Sequence, residues 1–269
     1  MYSVLILTLN EERNLPRCLA SVSGCDDVVV LDSGSTDRTV EIARHAGARV
    51  FSRPFDDFAG QRNFAQRQIA FRHRWVFHLD ADEQFTPDLE RECRAAAARE
   101  DLDGFLVAPR MMWEGRWIPH CTDFPAWQAR FVRAPQFAFI QVGHGQREAP
   151  AMRMDRLSAN YLHDLSSGGE AEWLEKHRRY ARAEAQAHLA AHSDARVADL
   201  FSPDRLVRRR TLKRLSYSLP FRPALRFVYQ YFLRRGFLDG AAGFRYCRLL
   251  ARYERFTTEE LRRRRDAPA

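Results

Sequence analysis

The sequence predicts an α/β fold, a mostly parallel sheet flanked by helices, followed by a helical, basic C-terminal extension. Three observations predict it. The first hundred residues alternate short apolar runs with segments of helical period. Those runs are apolar at consecutive positions, as in strands buried on both faces. Beyond residue 167 the pattern turns helical and charge becomes uneven: residues 200–269 hold 18 Lys+Arg against 6 Asp+Glu, whereas the formal charge of the whole chain is +8.

The elements follow in order. Val4–Thr8 is a strand-length apolar run. Asn14–Ser21 reads as a helix, with Leu15, Leu19 and Val22 on one face and Pro16 near its start. Val28–Leu31 is a second buried strand, followed by the turn-rich Asp32-Ser-Gly-Ser-Thr36. A helix begins at Thr36–Val40 and ends near Gly47, and Arg49–Phe51 is a third strand. Gly60–Ala70 is a helix with Phe64 and Ile69 inward, and Trp75–Leu79 is the fourth strand. Right-handed crossovers place every strand C-terminus on one edge, where open α/β sheets bind ligands. Strands are expected at Asp103–Ala108, Ala129–Arg133 and Phe137–Ile140, with a hairpin turn at Glu114-Gly115. Further helices are expected at Glu170–His192, 204–215, 223–235 and 241–255, with a frayed Arg262–Arg265 tail. The domain organisation read from these patterns is 1–166 and 167–269.

Composition excludes several classes. The five cysteines, Cys18, Cys25, Cys93, Cys121 and Cys247, form no C-x-x-C pair, which argues against a disulfide framework or a zinc site. Nothing matches a P-loop or a G-x-G-x-x-G fingerprint. The chain begins with a strand-like run and has no apolar stretch of spanning length, so a cytoplasmic protein is expected.

The chemistry concentrates at Trp75-Val-Phe-His-Leu-Asp80-Ala-Asp82-Glu83. A buried strand has no packing reason to end in three acids, which repel one another unless a cation or hydrogen bonds offset them. Oxygen ligands at such an end suit Mg²⁺ or Mn²⁺ carrying a diphosphate. The plainer alternative is an acidic loop before the helix that Thr86-Pro87 starts, with Glu83 capping it. Three strand-end loops converge on that edge. Thr8, Leu9, Asn10 and Glu11 come from the first, Asp32 and Ser33 from the second, Asp80, Ala81 and Asp82 from the fourth. Backbone groups around Leu9 suit a nucleoside, and Asp32 has the chemistry to accept from uracil N3–H or a ribose hydroxyl.

These loops resemble inverting family 2 glycosyltransferases. The resemblance rests on Thr8-Leu-Asn-Glu-Glu12, Val29-Val-Leu-Asp-Ser-Gly-Ser-Thr-Asp37, Gln61-Arg-Asn63 and His78–Glu83. It extends to Val142–Glu148, Tyr161-Leu-His-Asp164, Leu219–Pro223 and Gly236–Gly240, and so covers most of the chain. The chain is similar to the branch that builds lipopolysaccharide core and related cell-envelope glycans. The resemblance implies a GT-A fold, a nucleotide-sugar donor (a UDP-sugar foremost), a divalent cation, and a lipid-linked or glycan acceptor. It implies Asp82 and His163 as metal ligands, Asp80 at the ribose and Arg62 on donor phosphate or sugar. The general base falls to Glu148, with Asp123 second, and His144 is a candidate for acceptor or phosphate binding.

Segment 204–235 interleaves arginines with aromatic and aliphatic residues, as in helices lying in a membrane interface. Packing of those residues on the catalytic domain is the alternative. The expected setting is peripheral contact with an anionic membrane, at the cytoplasmic face of the inner membrane, with no nucleic-acid partner. A polyprenyl-phosphate sugar transferase or sugar nucleotidyltransferase would use the same donor site. A nucleic-acid-binding protein driven by the basic tail is the more distant alternative.

Overall fold

The computed structural model describes residues 1–142, 145–190, 197–203, 205–217 and 219–266. They form two compact units, Met1–Met112 with Asp123–Ser167, and Trp113–Thr122 with Gly168 onward.

The first unit is built on the expected alternation: β1 (Ser3–Thr8), α1 (Leu15–Ser21), β2 (Val28–Asp32), α2 (Thr39–His45), β3 (Arg49–Ser52), α3 (Phe58–Gln68) and β4 (Trp75–Asp80). It continues with β5 (Glu83–Gln84), α4 (Pro87–Ala96), β6 (Gly104–Val107) and β7 (Pro109–Trp113). After β8 (Arg116–Trp117), which falls in the second unit, come β9 (Gln128–Arg133), β10 (Phe139–Val142), β11 (Gly145–Glu148), β12 (Met154–Arg156) and β13 (Tyr161–Asp164). The seven-stranded sheet has the order β12-β6-β9-β4-β1-β2-β3. Strands β1 to β4 are mutually parallel, and β9 inserts antiparallel between β4 and β6. The sheet is buried on both faces. Val4 and Ile6 pack with Leu15, Cys18 and Leu89, while Leu5, Val29 and Leu31 pack with Ala65 of α3 and with Ile69 just after it. This is why the strands read as continuous apolar runs.

Local chemistry moves several boundaries. Helix α3 starts at Phe58, two residues before Gly60, because the Asp57 carboxylate accepts from the Gly60 N–H (2.7 Å) and caps it. Strand β10 begins at Phe139, since Phe137 is drawn into the core and its N–H bonds back to Arg133 O. Glu83 does not cap α4. Thr86 does, with Oγ1 accepting from Leu89 N–H, and Glu83 is fully buried in β5.

The second unit is helical: α5 (Gly169–Ala190), α6 (Arg205–Ser216), α7 (Arg222–Val228), a π turn at Tyr229–Leu233, a 3₁₀ turn at Gly236–Asp239 and α8 (Gly240–Asp266). Helix α5 was expected to reach His192, which lies outside the described residues. Helix α8 runs past the expected end at 255 through the arginine tail. Buried Leu261 and the Glu260–Arg264 pair (2.8 Å) support that extension.

Segment 113–122, expected in the first domain, belongs with these helices. Asp239 is buried and accepts from His120 Nδ1 (2.6 Å) and the Cys121 N–H (2.9 Å), while Gln230 donates to Cys121 O. A Cβ at Gly243 would stand 2.3 Å from Gly236 O, so the Gly236–Gly240 motif exists for close backbone packing. Among the described residues, no helix is long and apolar enough to cross a membrane.

Candidate active site

Register brings the three loops together. Thr8 lies beside Asp32 and Leu7 beside Asp80, so β1, β2 and β4 end at one edge of the sheet. Leu9 and Asn10 follow β1, and Asn10 takes a positive φ of 55°. Its N–H donates to Ser35 Oγ (2.8 Å) and its Oδ1 accepts from Thr36 N–H (2.8 Å), which locks the first loop to the second. The Glu11 N–H donates to Thr39 Oγ1 (2.7 Å). Asp32 is turned inward. Its carboxylate is buried and accepts from Thr8 Oγ1, Ser35 Oγ and the N–H groups of Gly34 and Ser35. These bonds shape the loop. Leu9, Asn10, Gly34 and Thr36 are exposed on this pair of loops.

The acidic end of β4 is organised by two buried arginines. Arg62 donates to Asp80 Oδ1 (2.7 Å), and Arg130 donates to Asp80 Oδ2 (3.0 Å), Glu83 Oε1 (2.7 Å) and His78 O (3.1 Å). The other Glu83 oxygen accepts from the Asp80 N–H (2.8 Å) and closes the loop on itself. Arg62, expected on donor phosphate or sugar, is 1% exposed and terminates on Asp80. Burial raises the Asp80 pKa, but the guanidiniums of Arg130 and Arg62 outweigh it and hold the carboxyl below the usual range. Burial raises Glu83 as well, and there Arg130 only opposes it.

Strand β13 brings His163 to this loop, in antiparallel register with Glu83. Its Nε2 lies 3.4 Å from Asp82 Oδ2 and its Nδ1 3.4 Å from Glu83 Oε1. One ligand atom from each of Asp82, Glu83 and His163 falls within 4.8 Å of the others. Asp82 and His163 are each 24% exposed, whereas Glu83 is closed off. Burial works against a charged His163, yet its contacts with Asp82 and Glu83 prevail and push its pKa up to about 10. Three carboxylates face two guanidiniums here, and an imidazolium completes the balance. A divalent cation would take the place of that proton, since two carboxylates with a neutral imidazole form a donor set that Mn²⁺ or Mg²⁺ accepts.

Helix α3 ties these parts together through the Gln-Arg-Asn segment. Gln61 Nε2 donates to Arg53 O (3.1 Å) and Pro54 O (3.0 Å), fixing the chain after β3. Arg62 holds Asp80. Asn63 donates to Phe139 O (2.8 Å) and accepts from Phe139 N–H (2.9 Å), pinning the β10–β11 hairpin. Glu148 sits on that hairpin opposite Phe139, whose ring packs 5.0 Å from the His78 ring. Glu148 is half-buried, and Arg153 pairs with Asp103 (3.1 Å). Asp123 is exposed ahead of β9. Ala81 is buried, and His144 lies outside the described residues.

Sequence reasoning missed Arg130 and the structural part of Glu83. The available signal was Ala129-Arg-Phe-Val132, an arginine inside an otherwise apolar strand. Such a residue needs a buried acid, and the acidic end of β4 offers one.

A family model, Glycosyl transferase family 2, matches residues 3–138. An uncharacterized glycosyltransferase of Rickettsia typhi is 37% identical over 106 residues, 39% of this chain and 36% of that protein. The lipopolysaccharide core biosynthesis glycosyltransferase LpsC of Rhizobium meliloti is 37% identical over 114 residues, 40% of this chain and 42% of that protein. The matches thus span well under half the length of these relatives. Among solved structures, S. aureus TarS in complex with UDP-GlcNAc aligns over 97% of this chain and 91% of its own, with 18% identity and a TM-score of 0.48.

Proposed function

Because this chain belongs to glycosyl transferase family 2, we propose that it is an inverting glycosyltransferase using a nucleotide-sugar donor, a UDP-sugar foremost. The observation that carries the reading is the Asp82, Glu83 and His163 cluster at the ligand-binding edge of the parallel sheet. Its acceptor is a lipid-linked or glycan molecule of the cell envelope, with lipopolysaccharide core supported by the likeness to LpsC. The setting is the cytoplasmic face of the inner membrane.

Asp82 and His163, with Glu83 behind them, would hold a divalent cation, which when bound supplies positive charge against the donor diphosphate. Leu9, Asn10 and Ser33 form the nucleoside side of the site, on loops locked by Asp32 and Ser35. Asp80, 30% exposed beyond its two arginines, would accept from a ribose hydroxyl. Glu148 takes the acceptor hydroxyl proton as that oxygen bonds to the anomeric carbon. The bond to the diphosphate oxygen breaks with its electron pair, and the configuration inverts. Asn63 keeps the Glu148 hairpin at the helix that also holds Asp80.

A turnover screen of UDP-, GDP- and ADP-sugars with and without Mn²⁺ tests this reading. Metal-dependent release of nucleotide from at least one donor is expected. Silence across all donors would remove the proposal.

A further inference from the structure

The second unit carries a surface that the transfer reaction does not use. Between Leu219 and Arg255 the chain has eight arginines and two acids, Asp239 and Glu254. Both acids are buried, Asp239 against His120 (2.6 Å) and Glu254 against Arg222 (2.8 Å). Every charge that the stretch itself shows to solvent is therefore positive, with Arg245 and Arg252 paired to exposed Glu114 (2.5 Å) and Glu170 (2.6 Å) from outside it. Amid these charges stand large apolar side chains: Phe221 is 82% exposed, Leu233 72%, Phe232 56% and Leu238 51%. The spacing is that of one helical face, since Phe221, Leu225, Val228 and Phe232 recur at intervals of three or four through α7 and the π turn. The opposite side of the same turn is anchored by buried Arg222 and Gln230. Phe221 also holds a left-handed φ of 55°, a strained conformation for an aromatic residue whose ring gains little burial from it. Beside it a groove of about 640 Å³ has Phe221, Phe227 and Val228 on the α7 side and Arg248, Arg252 and Arg255 on the α8 side.

We propose that this face is where the protein lies on an anionic lipid bilayer. The apolar groups enter the headgroup–acyl boundary and the arginines meet lipid phosphates, with the groove holding one lipid. The face is built from 219–255, so it includes the first part of α8 and leaves out α6, unlike the 204–235 segment expected from sequence. Two other occupants fit less well. A nucleic acid would use the arginines but leave exposed aliphatic Leu225, Val228 and Leu233 in water. A second copy in a two-fold interface would set arginines against arginines. The proposal goes beyond the transfer reaction, and its test reads no turnover, so either can fail alone.

The experiment is flotation of the full chain with mixed phosphatidylglycerol–phosphatidylcholine vesicles, against pure phosphatidylcholine vesicles. Binding to the anionic vesicles, weakened by salt, is expected. Arg248→Gln with Arg255→Gln should lower the partition coefficient about 25-fold, roughly five-fold per arginine. Phe221→Ser with Phe232→Ser and Leu233→Ser should lower it at least about ten-fold while leaving the thermal unfolding transition in place. Equal binding to neutral vesicles, or indifference to both variants, would overturn the proposal. So would displacement from vesicles by RNA at physiological salt, or a concentration-dependent dimer that the serine variant dissociates.

Discussion

Arg130 is where the acidic loop is most exposed to a single change. Replacing it with Met keeps the approximate volume and removes a guanidinium that bonds Asp80, Glu83 and His78 O at 2.7–3.1 Å, with its own side chain only 3% exposed. Glu83, at 0% exposure, would be left among the described residues with His163 and its own loop N–H as partners. Removing one partner of a buried pair costs about 3–5 kcal/mol, because the other charge remains buried. The Asp80 share is the smaller part, since that carboxylate is 30% exposed and keeps Arg62. We therefore expect Arg130→Met to lower the unfolding free energy of the first unit by about 3 kcal/mol in urea titration, with an unchanged m-value. Arg130→Lys should recover little, because one ammonium cannot reproduce a fork shared between two carboxylates. Adding Glu83→Gln to Arg130→Met should return about 1–2 kcal/mol by neutralising the orphaned acid. A loss below about 1 kcal/mol in the single variant, or no recovery in the double variant, would refute the assignment of Arg130 as the residue that holds the loop.

Three further outcomes follow from the same geometry. Asn63→Ala removes both bonds to Phe139, so it should cost about 1–3 kcal/mol and raise hydrogen exchange across β10 and β11 before the rest of the sheet. Burial raises Asp27, but bonds from Ser3 Oγ (2.5 Å), the Arg72 N–H and Arg49 overcome it and leave its pKa depressed. The folded state therefore binds this proton less tightly than the unfolded state. Its stabilisation is present above the unfolded carboxyl pKa of about 3.9 and is lost as pH falls through the folded value, so Asp27→Asn should flatten the acid limb of a stability–pH curve. Glu148→Gln should retain donor binding while transfer falls about 10²–10⁴-fold, and normal turnover in that variant would move the base to Asp123.

The sheet was legible because its strands are buried on both faces: Val4-Leu-Ile6 and Val28–Leu31 leave no polar side to confuse the period. The loops after β1, β2 and β4 were legible for the same reason, since an apolar run that stops in Asp80 or Asp32 marks its own end. What those acids bond to was not legible. Asp32 and Asp82 look alike in sequence, yet one is saturated by its own turn and the other is open, and only the path of the backbone decides between them. Arg62 likewise sits on a helix whose bond to Asp80 of β4 no local pattern records. The placement of 113–122 rests on Asp239, more than a hundred residues away, a separation no local pattern records.

The most direct test is calorimetric titration of a UDP-sugar into the wild-type chain and into Asp82→Asn, each with Mn²⁺ and with chelator. Metal-dependent binding is expected in the wild type, with at least about ten-fold weaker binding in Asp82→Asn and equal residual binding of both with chelator. Metal-independent binding that Asp82→Asn leaves unchanged would contradict a cation site at the end of β4.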